Sequence, residues 1–215
     1  MKTITPAPTP TTFFLPADDL RAAFQCVNTE QTRYHIGGVF VEADKLVATD
    51  GHQMLTIELP DGCHVGTECF TQGMDAPEGA GFILSCDATD KAFKAKAPAS
   101  GDLWVYGDIE TGILQFVINH KEGGEMSRVG VLEFTRNDGT YPEWRNIVAK
   151  GEGGAASLCY DPAVLARLVK AADVIDKGKG VRLTGGATPG DPIRVDFVAS
   201  PRLRGTLLPM RWTGA

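Results

Sequence analysis

Apolar residues in this chain fall into short strand-sized runs separated by Gly, Pro and Asp turns, and helical spacing appears at only three places. In the first, Leu20, Ala23, Phe24 and Val27 recur at i, i+3, i+4 and i+7 behind Asp18 and Asp19. That is the stripe of an amphipathic helix with acids in its first turn, where the helix dipole favours them. The run Phe13-Phe14-Leu15-Pro16 ahead of it predicts a short strand, and Ile36–Glu42, Lys45–Thr49 and Gln53–Leu59 behind it predict three more. The order then repeats: a strand at Gly81–Ser85, a helix over Ala88–Ala97 with Asp87 as its cap, and strands near Leu103–Tyr106, Ile113–Asn119 and Arg128–Thr135. A third round opens with Ala156–Tyr160. Asp161-Pro162 then starts a helix over 162–177, because Asp caps free amides and Pro at the first position loses no hydrogen bond. Leu165, Leu168, Val169 and Ala172 form its buried face, and strands follow near Gly180–Thr184, Pro192–Ala199 and Gly205–Arg211.

Three strand–helix–three-strand units predict an α+β fold with helices on one side of antiparallel sheets. The first two units cover 13–148 and the third covers 149–215. The Thr/Pro-rich stretch 1–12 reads as an extended tail without the apolar segment of a secretion signal.

Composition fits this picture: 25 Gly and 13 Pro among 215 residues supply the turns. No apolar run approaches the roughly 18 residues of a membrane span. Five cysteines (Cys26, Cys63, Cys69, Cys86, Cys159), odd in number and without a CxxC pair, suit a reduced cytoplasmic chain with idle thiols. The net charge of -6 argues against a bulk grip on nucleic acid. Its distribution weakens that objection: the helical stretches 17–28, 88–97 and 162–177 carry -1, +2 and +1, so they sum to +2 and the remainder to -8. Lys91 with Lys94, and Arg167 with Lys170, stand three apart and share a helix face, a candidate basic stripe.

Candidate chemistry is sparse. Asp50-Gly51-His52 places an acid beside an imidazole, the minimum for a metal-dependent hydrolase, but Asp-Gly after an apolar strand is also tight-turn chemistry, and no nucleophile or further ligand completes a set. Cys63-His64 with Cys69 matches no four-ligand zinc spacing. Gly185-Gly186-Ala187-Thr188-Pro189-Gly190 lacks the Lys-Ser/Thr of a phosphate loop and reads as a hairpin, as does Lys121–Glu125. No catalytic residue, metal or cofactor is assigned.

Three segments carry a resemblance. Arg33–Glu42 with Leu46–Leu55 resembles the middle domain of the bacterial DNA sliding clamp, the beta subunit of the replicative polymerase. Thr140-Tyr141-Pro142-Glu143-Trp144-Arg145-Asn146-Ile147 is similar to that family's linker between its middle and last domains, and Leu208-Pro209-Met210-Arg211-Trp212 to its C-terminal ending. Together, in the family's order, they span about residues 13–212. The resemblance implies a non-enzymatic processivity factor whose helices line a hole around duplex DNA, with Arg21, Lys91, Lys94, Arg167 and Lys170 facing phosphates. It also implies a pocket that docks short peptides of polymerases and clamp loaders. By local alignment that pocket is made of Ile36, Thr49, Gly51, His52, Met54, Pro142, Ile147, Leu208, Pro209 and Met210.

Two positions depart from the family: Gln53 and Asn146 stand where it usually has Arg. The chain also has three units where a family chain has six. Family rings contain twelve units, so four copies of this chain would form a homo-tetrameric ring, with third units pairing about a two-fold axis. The alternative is a clamp-like decoy that binds the same peptides without encircling DNA.

Overall fold

The computed structural model describes residues 12–28, 36–66, 81–96, 101–120, 126–137, 139–148, 160–175, 180–186, 188 and 190–210. Among them lie two α-helices, α1 (Ala17–Phe24) and α2 (Pro162–Ile175), and twelve strands. The strands are β1 (Thr12–Pro16), β2 (Val39–Glu42), β3 (Lys45–Thr49), β4 (Gln53–Glu58), β5 (His64–Gly66) and β6 (Gly81–Cys86). β7 (Gly101–Asp108), β8 (Ile113–His120), β9 (Met126–Asn137), β10 (Val181–Thr184), β11 (Ile193–Phe197) and β12 (Leu203–Leu207) complete them.

Three antiparallel meanders, β2–β3–β4, β7–β8–β9 and β10–β11–β12, are joined edge to edge in the order β10-β11-β12-β4-β3-β2-β6-β9-β8-β7-β1-β5. The long strand β9 makes one join. Its N-terminal half pairs with β8, and its last residues, Phe134 to Asn137, pair with β6. The other join is β12 on β4, where Thr206 faces Met54 and Leu207 faces Gln53 across about 150 residues of chain.

Both faces of the β3 and β4 strands are covered, so they read as continuous apolar runs instead of alternating ones. Leu46, Ala48, Leu55 and Ile57 point into the main core with Leu20 of α1 and Leu168 of α2. Val47 and Met54 point the other way into a second, smaller core with Ile36, Ile83, Tyr141 and Trp144. The helices α1 and α2 pack against one another on the main-core side.

Segment 88–96 is a series of turns and not the expected helix. Asp87, the expected cap, instead accepts from the Thr89 amide at 2.8 Å and the Thr89 hydroxyl at 2.6 Å, and Asp90 accepts from the Ala92 amide at 2.6 Å. Such two-residue closures compete with helical hydrogen bonds. The carbonyls of Phe93 and Ala95 are taken by Arg21 of α1, at 2.6 Å from Nε in the first case. Three-helix sidedness thus becomes a two-helix layer among the described residues.

The remaining differences are at boundaries. β12 ends at Leu207, before the expected Arg211, and β5 was not anticipated. The expected tail 1–12 and leading strand 156–160 lie almost wholly outside the described residues, as do Cys69 and Cys159.

Candidate functional site

The β3–β4 turn is built by its own side chains. Thr49 Oγ1 donates to the Gln53 carbonyl at 2.5 Å and accepts from the Gly51 amide at 3.1 Å. Asp50 Oδ1 accepts from the His52 and Gln53 amides at 2.8 and 3.0 Å. Gly51 turns the chain at φ 90°, a conformation that favours glycine. The other oxygen of Asp50 lies 2.6 Å from the Arg167 guanidinium of α2, and the carboxylate is 6% exposed. Gln53 completes the tie: with its amide nitrogen turned to the Val164 carbonyl at 2.7 Å, its oxygen accepts from Arg167 Nε at 3.3 Å. Asp50 is therefore engaged in holding the turn to α2, which takes Asp50 away from the hydrolase alternative as a free acid.

The segment 141–148 is pinned to the outer face of β2 and β3. Tyr141 stacks on Phe40 at 4.8 Å and its hydroxyl donates to the Val47 carbonyl at 3.2 Å. Burial pushes the Tyr141 phenol well above its usual range, so it stays a neutral donor. Buried Glu42 accepts from Trp144 Nε1 at 3.2 Å and from both terminal nitrogens of Arg145 at 3.0 and 2.9 Å, while the Arg145 guanidinium sits 4.4 Å over the Trp144 ring. This clamp sets Pro142 and Ile147 beside the β3–β4 turn. Tyr141, Trp144, Arg145 and Glu42 were not singled out from the sequence as anchors. The close run of aromatic and basic residues at 141–145 was the available signal.

On the third side, the Leu208 amide donates to the His52 carbonyl at 3.0 Å, continuing the β12–β4 pairing past Leu207. Two adjoining cavities result. One, of about 280 Å³, is lined by Ile36, Thr49, Gly51, Met54, Pro142, Ile147 and Leu208, with Gln53 and Thr206. The other, of about 410 Å³, is lined by His52, Leu208, Pro209 and Met210, with Tyr160, Asp161, Val164, Arg167 and Leu207. All ten residues named from the sequence line one or the other, and Leu208 lines both. Ile36 and Met54 form a buried floor, whereas Ile147, Leu208 and Met210 are exposed walls. Gln53 lies inward, 1% exposed, so the nearest guanidinium comes from α2 instead.

The candidate DNA-facing residues divide. Lys91, Lys94 and Lys170 are exposed. Arg21 is not: its side chain is 13% exposed and spent on the Phe93 and Ala95 carbonyls and on Asp18. Arg167 lines the second cavity, where it pairs with Asp50 while its side chain stays 43% exposed. Both placements have one cause: a planar five-donor guanidinium is captured wherever buried acceptors are fixed nearby.

No protein-family model and no curated protein matches the chain. Solved structures do match in fold. The DNA polymerase III beta subunit of Thermotoga maritima superposes with TM-score 0.57 and 12% identity, covering 99% of this chain and 69% of that one. The DnaN sliding clamp of Bartonella birtlesii, bound to griselimycin, gives TM-score 0.53 and 16% identity over 98% of this chain and 69% of its own. The DNA polymerase sliding clamp of Pseudomonas aeruginosa gives 0.52 and 14% over 96% and 68%. Across nearly its whole length, this chain has the fold of bacterial DNA sliding clamps.

Proposed function

We propose that this chain is a clamp-like docking protein whose groove binds short peptide segments of DNA polymerases and clamp loaders, with no chemical step of its own. One observation carries the reading: residues from four distant segments, 36, 49–54, 142–147 and 208–210, converge on two cavities that share Leu208. The chemistry suits an extended peptide with apolar anchors. Ile36, Met54, Ile147, Leu208 and Met210 offer adaptable apolar surface, and Gly51 leaves room for backbone approach. His52 and Arg167 place polar groups at the mouth of the second cavity. Calorimetry with a clamp-binding peptide of a bacterial DNA polymerase tests this. Met210→Ala is expected to weaken binding by about 1–2 kcal/mol. Unchanged affinity removes Met210 from the site.

The clamp fold further supports a homo-oligomeric ring around duplex DNA, with Lys91, Lys94 and Lys170 as phosphate contacts made without base reading. Replacing the three lysines together should lower retention on nicked circular DNA and flatten its salt dependence. The decoy reading is favoured by the internal use of Arg21 and Arg167, which takes two cations away from DNA. Retention that disappears when the circle is linearised supports a ring; no retention on the intact circle supports a decoy.

A further inference from the structure

One edge of the twelve-stranded sheet is β10, whose outer side has no strand beside it among the described residues. The corresponding edge of each other meander is covered. β7, the first strand of its meander, carries β1, and β2, the first of its own, carries β6. The covers are reciprocal, because β1 leads through α1 into β2–β4 yet covers the other meander, while β6 precedes β7–β9 and covers β2. Each sends apolar side chains into the main core: Phe13 and Leu15 from β1, Phe82 and Leu84 from β6. β10 stands in the same place in the third meander and shows Val181 and Leu183 at 37% and 36% exposure. Beside it, Val169 and Ala172 of α2 with Val181 and Phe197 line a void of about 120 Å³.

We propose that a second copy of this chain docks on the β10 edge, so that two third meanders cover one another about a two-fold axis. The inference deepens the assembly reading above by naming its surface. The other edge of this meander is already taken by β4, and the same meander in another copy presents the same β10 edge, uncovered among the described residues. A contact made twice by the same surface closes on itself, and it hides an apolar strand edge that would otherwise template open-ended pairing.

Sedimentation equilibrium of the full chain across the micromolar range tests the proposal, with Leu183→Glu as the variant. The wild type should associate, and Leu183→Glu should weaken association by roughly tenfold or more while leaving peptide affinity unchanged, since the groove lies at the opposite edge of the meander. A wild type that stays monomeric overturns both this surface and the assembly reading. Association of equal strength in a folded Leu183→Glu overturns the surface alone. Should that variant lose its fold, wild-type amide exchange decides: β10 amides are expected to gain protection as concentration rises, and exchange independent of concentration overturns the proposal.

Discussion

Where β1 and α1 meet β6, the 88–96 segment and β9, contact is made by rings: Phe13 lies 5.4 Å from Phe82 and 5.9 Å from Phe134, and Phe24 lies edge-on to Phe93 at 5.2 Å. Where the same helix and the β2–β4 meander meet α2 and the third meander, the apolar core is supplemented by two buried ionic ties. Asp19, 1% exposed, takes two 2.6 Å bonds from Arg202, and Asp50 takes Arg167. Burial raises the Asp19 carboxyl against the pull of those bonds, and Asp19 in turn holds Arg202 charged. The difference teaches how a groove survives beside a join. Rings maximise contact and fill the space between elements, whereas a hydrogen-bonded pair fixes a separation and direction, leaving open the volume alongside it.

The sharpest way to break this contrast is to empty the aromatic join. Phe13→Ala should cost about 4 kcal/mol, because a fully buried ring shared by three strands leaves a cavity that cannot close. Urea unfolding measures it, and a loss under 1 kcal/mol would remove Phe13 from the centre of the core. Asp19→Ala should follow at about 3 kcal/mol, the low end for a broken buried pair, since Arg202 is 30% exposed and can partly rehydrate. Gly51→Ala should cost about 1 kcal/mol by straining the φ 90° turn. Arg167→Ala, whose side chain is 43% exposed, should cost under about 1 kcal/mol of stability yet alter peptide affinity at the groove. Equal peptide affinity would show that Arg167 serves the join alone.

The smallest effect is in pH. Burial pushes the Cys63 and Cys86 thiols up to about 12. The folded chain therefore keeps protons that an unfolded thiol releases near about pH 8.5, so this contribution to stability is complete below that pH and declines as pH rises toward 12. Residue-resolved alkylation at pH 8.5 should be slower in the folded chain than in urea. Equal rates would place these thiols in water.

The candidate groove was reached through the resemblance to sliding clamps, because the local signals at Thr49-Asp50-Gly51, Pro142 and Leu208-Pro209 mark turns and strand ends and do not by themselves mark a shared cavity. Less legible was what polar residues do. Asp87 reads as a helix cap but closes a two-residue turn, as Asp90 does after it, and Arg21 and Arg167 read as surface cations but reach carbonyls and a carboxylate on other elements. Periodicity reports which way a side chain points from its own backbone and says nothing of the acceptor it meets.

The sequence by itself determined a β-rich chain of three meanders, two of its helices and the turn chemistry at Asp50-Gly51, all of which rest on periods of two to four residues and on capping groups within reach of their own backbone. Tertiary structure alone decided that β12 lies on β4, that turns take the place of the middle helix, and that β10 has no strand on its outer side among the described residues. Those outcomes depend on which strand edges and buried acceptors are brought together by residues more than 150 positions apart, and that competition is settled by packing of the whole core.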